Sequence, residues 1–401
     1  MDDISNESIL IKNKSPSKQQ LEKLVNLYSQ GQFQQALIEI NRLILYFPRS
    51  VTLYNLQGAT FSGIKLFDKA IQSYKLALNI KPNFAEGFCN IGVVYQNIGD
   101  FNEAIKSFKK AIYYKPNFYE AYSNLGIVFE HQEKFKDAFE CFNVAININP
   151  NFFQGFLNRG NILTKLNRFD EALYDYNKAI FIKPDYAEVF NNRGNLLKEL
   201  KFFDQALENY NNALKLKPND GNTNFNKSLL LLSHGKFEIG WKLHEWRWKK
   251  EKVSSPIRNF EQPLWLGKED LFDKSILIHW EQGLGDTIQF CRYAKELKKL
   301  GCKVVLEVQA PLFSLLKGLE GVDELVSYGS DLPLTDFYCP LMSLPLALRT
   351  TLNTIPFEDT YIKADKTKIK KWQDKLGPKI KPRVGIVWSG SETHSGDYKR
   401  R

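Results

Sequence analysis

The chain has 401 residues, 43% hydrophobic and 25% charged, the composition of a folded protein of two or three structural units, not of a disordered or fibrous one. A formal net charge of +10 is spread along the sequence, so it attracts anions mildly, and no lysine-rich arm marks a nucleic-acid binder. Cys89, Cys141, Cys291, Cys302 and Cys339 are scattered without CxxC spacing, which argues against a disulfide framework or a zinc site and for a reducing, cytoplasmic setting.

Residues 1–16 are polar and acidic where a secretory leader is basic and then apolar, and we expect them to be disordered. No later run approaches the roughly 18 apolar residues of a membrane span. Over residues 17–254 an internal repeat governs the chain, because Pro48, Pro82, Pro116, Pro150, Pro184 and Pro218 recur every 34 residues. Gly58, Gly92, Gly126, Gly160 and Gly194 keep the same frame. So do Phe33, Phe67, Phe101, Phe135, Phe169, Phe203 and Phe237, and Ala36, Ala70, Ala104, Ala138, Ala172 and Ala206. Small residues let two antiparallel helices approach, the Phe is expected to fill the space between them, and the Pro ends the second helix of each pair.

These columns are the marks of the tetratricopeptide repeat (TPR). The resemblance covers six full repeats and a seventh, and implies a right-handed α-solenoid. Leu24 replaces glycine in the first repeat, and Ser228 and Gly240 replace Gly and Ala in the seventh, as in repeats that cap a solenoid. The seventh runs without a closing Pro into WKLHEWRWKKEKVSSPIRNF, where Trp241, Trp246 and Trp248 read as packing residues, and Pro256 marks the approximate boundary.

A further column, Asn90, Asn124, Asn158, Asn192 and Asn226, takes the sixth position of successive repeats, on the first helix of each pair. First helices line the concave face of a TPR superhelix. A carboxamide both donates and accepts, so such a ladder can hold the backbone of an extended peptide or partner protein without reading its sequence. Asn is also common at this position, where it can bond within the repeat. The ladder resembles that of the protein O-GlcNAc transferases.

After a linker at 255–273 the period changes, and residues 274–365 read as an α/β lobe. KSILIHW is a strand, EQGLGD a turn, TIQFCRYAKELKKL a helix and CKVVLEV a second strand, a βαβ unit with a parallel sheet. VDELVSY and DFYCPL are further strands, and PLFSLLKGL is a helix. Residues 366–382 form a charged linker helix, and RVGIVWSGS opens another α/β unit over 383–401. The turn at Gly283, Gly285 and Asp286 suits an anion or sugar, since glycines admit a ligand to the backbone and the next helix offers free N–H groups. It is not a dinucleotide fingerprint, because Ile288 stands where the third glycine belongs, although Glu307 lies near the ribose-binding distance. Asp286 suits a general base or a helix N-cap. His279, inside an apolar strand, reads as a core or edge histidine. No HxxxH or DxD pattern points to a metal.

LIHWEQGLGDTIQFCRYAKEL, VVLEVQAPLFSLL, CPLMSLPLAL and RVGIVWSGS together resemble the glycosyltransferase part of bacterial TPR-glycosyltransferases, which are related to heptosyltransferases. That resemblance implies two facing Rossmann-like lobes, no cofactor, and a nucleotide sugar as donor substrate. It makes Asp286 the catalytic base and places the acceptor at the turn of Gly283 and Gly285. Ser389, Ser391 and Lys399 would begin the donor's phosphate site, most of which is expected beyond Arg401. The expected function is therefore peptide binding by the array coupled to glycosyl transfer onto a protein, with a non-catalytic TPR scaffold carrying an incomplete lobe as the alternative.

Overall fold

The computed structural model describes residues 15–250, 257–357 and 360–378, which fall into two compact units, Met1–Asn226 and Lys227–Arg401. Most of the segment expected to be disordered lies outside the described residues. So does the expected start of a second lobe, with Ser389, Ser391 and Lys399.

The first unit is a file of helix pairs. In chain order these are α1 (Lys18–Ser29) with α2 (Phe33–Tyr46), α3 (Val51–Gly63) with α4 (Phe67–Ile80), α5 (Ala85–Asn97) with α6 (Phe101–Tyr114), and α7 (Tyr119–His131) with α8 (Phe135–Ile148). Then come α9 (Phe153–Lys165) with α10 (Phe169–Ile182), α11 (Ala187–Glu199) with α12 (Phe203–Leu216), and α13 (Gly221–Ser233), within which the two units divide. The Ala column from Ala36 to Ala206 is fully buried, which sets the close approach of the paired helices.

The Phe column has a different place from the expected one: each of these Phe residues opens a second helix and is only half-buried. The rings that fill the space between paired helices are Tyr74, Phe108, Phe142, Tyr176 and Tyr210. A Cβ added at Gly58, Gly92, Gly126, Gly160 or Gly194 would lie 2.6–2.8 Å from them. The prolines act as expected. Each follows a C-cap such as Phe47 (φ −128°) or Lys115 (φ −139°), since a residue before proline is pushed out of the helical region.

Neighbouring first helices (α1, α3, α5, α7, α9, α11) touch one another directly, whereas second helices of successive repeats do so less. The first helices therefore lie on the inner, more crowded side of the file.

The second unit carries α14 (Phe237–His244) and a 3-10 turn at Glu245–Lys249. Next in sequence are β1 (Ser275–His279), α15 (Leu284–Phe290), α16 (Tyr293–Lys298), β2 (Lys303–Val308) and α17 (Ala310–Leu316). They are followed by β3 (Glu324–Ser327), β4 (Phe337–Pro340), α18 (Leu344–Ala347) and α19 (Lys366–Leu376). The strands form one parallel sheet in the order β3-β2-β1-β4.

Period-2 alternation assigns the two faces. Ile276, Ile278, Val304, Leu306 and Val308 share a core with Phe290, Leu297, Leu312 and Leu344, so α15 to α18 gather on one face. Leu277, Val305 and Val326 on the other meet Phe260, Leu332 and Tyr338. Right-handed crossovers put the β1–β2 and β2–β3 connections on the helical face and the return from β3 to β4 on the opposite one. That return is the segment after Ser327, where Leu332 packs without a helix. Among the described residues the helices that pack on the sheet thus lie on one face only, where the Rossmann-like expectation puts them on both.

Candidate functional site

All five column asparagines are half-buried on first helices. Three of them donate one amide N–H to an asparagine of the preceding first helix: Asn90 to Asn55 Oδ1 at 2.8 Å, Asn192 to Asn161 Oδ1 at 3.0 Å and Asn226 to Asn191 Oδ1 at 3.0 Å. Asn124 directs its amide to Cys89 Sγ at 3.6 Å, and Asn158 has no hydrogen-bond partner among the described residues. The bonds these amides donate run between repeats; bonding within a repeat, the alternative expectation, occurs at Asn192, which accepts from Asn191 at 3.2 Å. At Asn90, Asn124 and Asn226 one N–H fixes the side chain, and the other N–H and the carbonyl oxygen remain available, whereas the Asn192 carbonyl oxygen is engaged by Asn191.

One position along is a set of polar clamps that no motif announces. Arg159 meets Asp175 with two bonds of 2.8 Å and reaches Asn143 of the preceding repeat at 2.6 Å. Arg193 repeats this with Asn209 at 2.7 Å and Asn177 at 2.6 Å. Gln57 bridges Ser73 and Asn41 in the same frame. Asp175 is 1% exposed; burial raises its carboxyl above the usual range, and Arg159 opposes the shift. The signal was present in the sequence: Arg159 and Arg193 occupy a column that holds Ile91 and Leu125 elsewhere.

In the second unit the strand order reverses between β1 and β4, and the crevice beyond their carboxyl ends is where open parallel sheets take ligands. Here Glu281, 1% exposed, fills that position. It accepts two bonds from Arg247 (2.8 and 3.0 Å) and one from the Met342 N–H at 2.9 Å. Arg247 also donates to Glu245 at 2.6 Å and to Ser343 Oγ at 2.7 Å. The glycine turn follows at once, reached through Gln282 in a left-handed conformation (φ 59°). Gly283 is the N-cap of α15, and Asp286, two residues into the helix, accepts from the Gly283 N–H at 3.0 Å. Its carboxylate satisfies the helix start by reaching back from the first turn, not as the N-cap itself. Gly285 is exposed, with open space around its Cα.

Glu307, paired in register with His279, is 1% exposed and bonded to Arg258. The Arg258 guanidinium sits 4.8 Å from the Phe260 ring and 5.8 Å from that of Tyr328. The carboxylate placed near a ribose by spacing is thus engaged by an arginine from a segment read only as linker. Burial lowers His279 to about 4, as expected of a core histidine. Among the described residues no group of three or more His, Cys, Asp or Glu side chains is placed to hold a metal ion, and no helix is long and apolar enough to cross a membrane.

The helix pairs, their glycine–aromatic contacts and their inter-repeat bonds define a tetratricopeptide-repeat array. Family models agree: TPR repeat models match residues 67–99 and 160–201, and tetratricopeptide repeat models match 85–118, 119–152 and 187–220. A curated relative is protein FlbA of Caulobacter vibrioides, 26% identical over 185 residues. The match covers 41% of this chain and 30% of that protein, less than a third of its length. Among solved structures, MamA is 27% identical with a TM-score of 0.37, over 40% of this chain and 94% of that one. YrrB, described as a TPR protein with an unusual peptide-binding site, is 22% identical with a TM-score of 0.38, over 49% and 97%. The Cut9–Hcn1 hetero-tetramer of APC/C is 17% identical with a TM-score of 0.49, over 56% and 44%. These matches lend no support to the expected glycosyltransferase lobe, nucleotide-sugar donor or protein glycosylation.

Proposed function

We propose that the chain is a TPR scaffold that holds an extended segment of a partner protein along its first helices, with the asparagine column bonding the segment's backbone. The observation that carries this reading is the amide set itself. At Asn90, Asn124 and Asn226 the carbonyl oxygen accepts from no described residue, at intervals of 34 residues or multiples of it on the inner side of the file. Peptide binding is also the use of the fold described for YrrB.

Asn158 is the cleanest probe, since replacing it breaks no inter-repeat bond. For a peptide selected from a random library against the whole chain, Asn158→Ala is expected to weaken binding about five- to tenfold, with the thermal midpoint unchanged. Asn124→Ala, Asn158→Ala and Asn192→Ala combined should abolish capture, as should N-methylation of the peptide backbone. Undiminished anisotropy titrations with the triple variant would sink the ladder.

A second reading, glycosyl transfer from a nucleotide sugar to the captured protein, draws on the resemblance of the second unit and on the half-buried Asp286 carboxylate beyond the carboxyl end of β1. Saturable binding of a nucleotide sugar, with transfer abolished in Asp286→Asn, is its test.

A further inference from the structure

An open cavity of about 560 Å³ lies at the surface of the second unit, lined neither by the asparagine column nor by the glycine turn. Its apolar lining is Phe237 and Trp241 of α14, Leu266, and Pro345 and Leu346 of α18. Lys242, Lys268 and Arg349 stand around it with Glu238 and Thr351. Lys242 is answered by Glu238 at 3.1 Å, but Lys268 and Arg349 have no carboxylate within 4.0 Å among the described residues.

The backbone brings the two segments that carry these cations together. Gly267 has φ +82° and packs so closely on the end of α18 that a Cβ there would lie 2.0 Å from the Ala347 oxygen. Lys268 is the next residue along one segment, and Arg349 lies two residues along the other in a left-handed turn of φ 50°. The volume falls in the range of small-molecule sites, which join an apolar interior to a few convergent polar groups. A guanidinium, an ammonium and a hydroxyl together match a phosphoryl group better than a single-charged head.

We propose that this cavity binds an organic phosphate, its phosphoryl group between Lys268 and Arg349 and its apolar body against Trp241, Phe237 and Leu346. The site belongs to the second unit and stands whether or not the first unit captures a peptide.

The test uses the full chain and phenyl phosphate as the probe, followed by calorimetry and by tryptophan fluorescence, which reports this unit because every Trp lies at position 241 or later. Phenyl phosphate should saturate one site, with inorganic phosphate and benzyl alcohol each at least about tenfold weaker. Lys268→Ala and Arg349→Asn should each weaken phenyl phosphate about tenfold at an unchanged thermal midpoint; Asn is chosen at 349 because it tolerates the left-handed backbone. Three results would overturn the assignment: no saturation up to roughly 10 mM, binding indifferent to the double variant, or benzoate and benzyl alcohol binding as tightly as phenyl phosphate.

Discussion

Arg159 and Asp175 show how a single column decides the local character of a repeat. Where the third and fourth repeats carry Ile91 and Ser107, and Leu125 and Cys141, in these two columns, the fifth sets a guanidinium and a buried carboxylate against one another. A buried pair adds little over an apolar contact of the same shape, but removing one partner strands the other. Arg159→Leu is therefore expected to cost about 3 kcal/mol, and Arg159→Leu with Asp175→Ser to recover most of that loss. Denaturant titrations followed by far-UV circular dichroism measure both, and equal losses in single and double variants would refute a stranded carboxylate. Asp286 carries a similar lesson. A carboxylate three residues after a glycine could be read as base or cap, and the structure gives one of its oxygens to the Gly283 N–H.

At the scale of elements, the turns between paired helices carry one left-handed residue each, at Gly31, Lys65, Gly99, Glu133, Asn167, Lys201 and Gly235. No residue type marks this column in the sequence, since Gly, Lys, Glu and Asn all occupy it, and the backbone angles show what it requires. A side chain with a Cβ is strained there by about 1–2 kcal/mol, part of which glycine's extra freedom in the unfolded chain cancels. Lys65→Gly, Glu133→Gly and Lys201→Gly should each stabilise the array by roughly 0.5 kcal/mol, additively because the sites are far apart. Gly99→Ala, at φ +82°, should do the reverse. A melting midpoint that falls in the triple glycine variant would contradict this account. The sheet shows the limit of periodicity: all four strands were readable as short apolar runs, whereas the missing helix between β3 and β4 was not. Periodicity marks a segment's own type and says nothing of what a neighbouring face lacks.

For the whole molecule, the division after Asn226 places α14 with the sheet, although the 34-residue frame continues through Phe237. The two units should also respond differently to acid. His244 and His279 are buried in the second unit, and burial lowers them to about 3 and about 4. The unfolded chain protonates both near 6.5, so unfolding takes up protons over this range. The unit's stability should fall as pH drops from about 6.5 towards 4, by up to ~1.4 kcal/mol per pH unit for each ring. Tryptophan fluorescence in urea reads this unit alone, and His279→Gln should flatten its pH dependence. A midpoint constant between pH 6.5 and 4.5 would exclude the linkage.

Sequence by itself determined the repeat, the pairing of helices and the identity of the strands. Those follow from local rules, the proline that ends a helix, the glycine that admits a ring and the apolar run that must be buried, and each leaves its period in the chain. Only the tertiary structure decided which groups meet. It joined Arg247 to Glu281, Arg258 to Glu307 and Gly267 to the end of α18, pairs separated by 34, 49 and 80 residues that share no pattern. Such contacts are set by how whole elements pack, and no local rule carries that information.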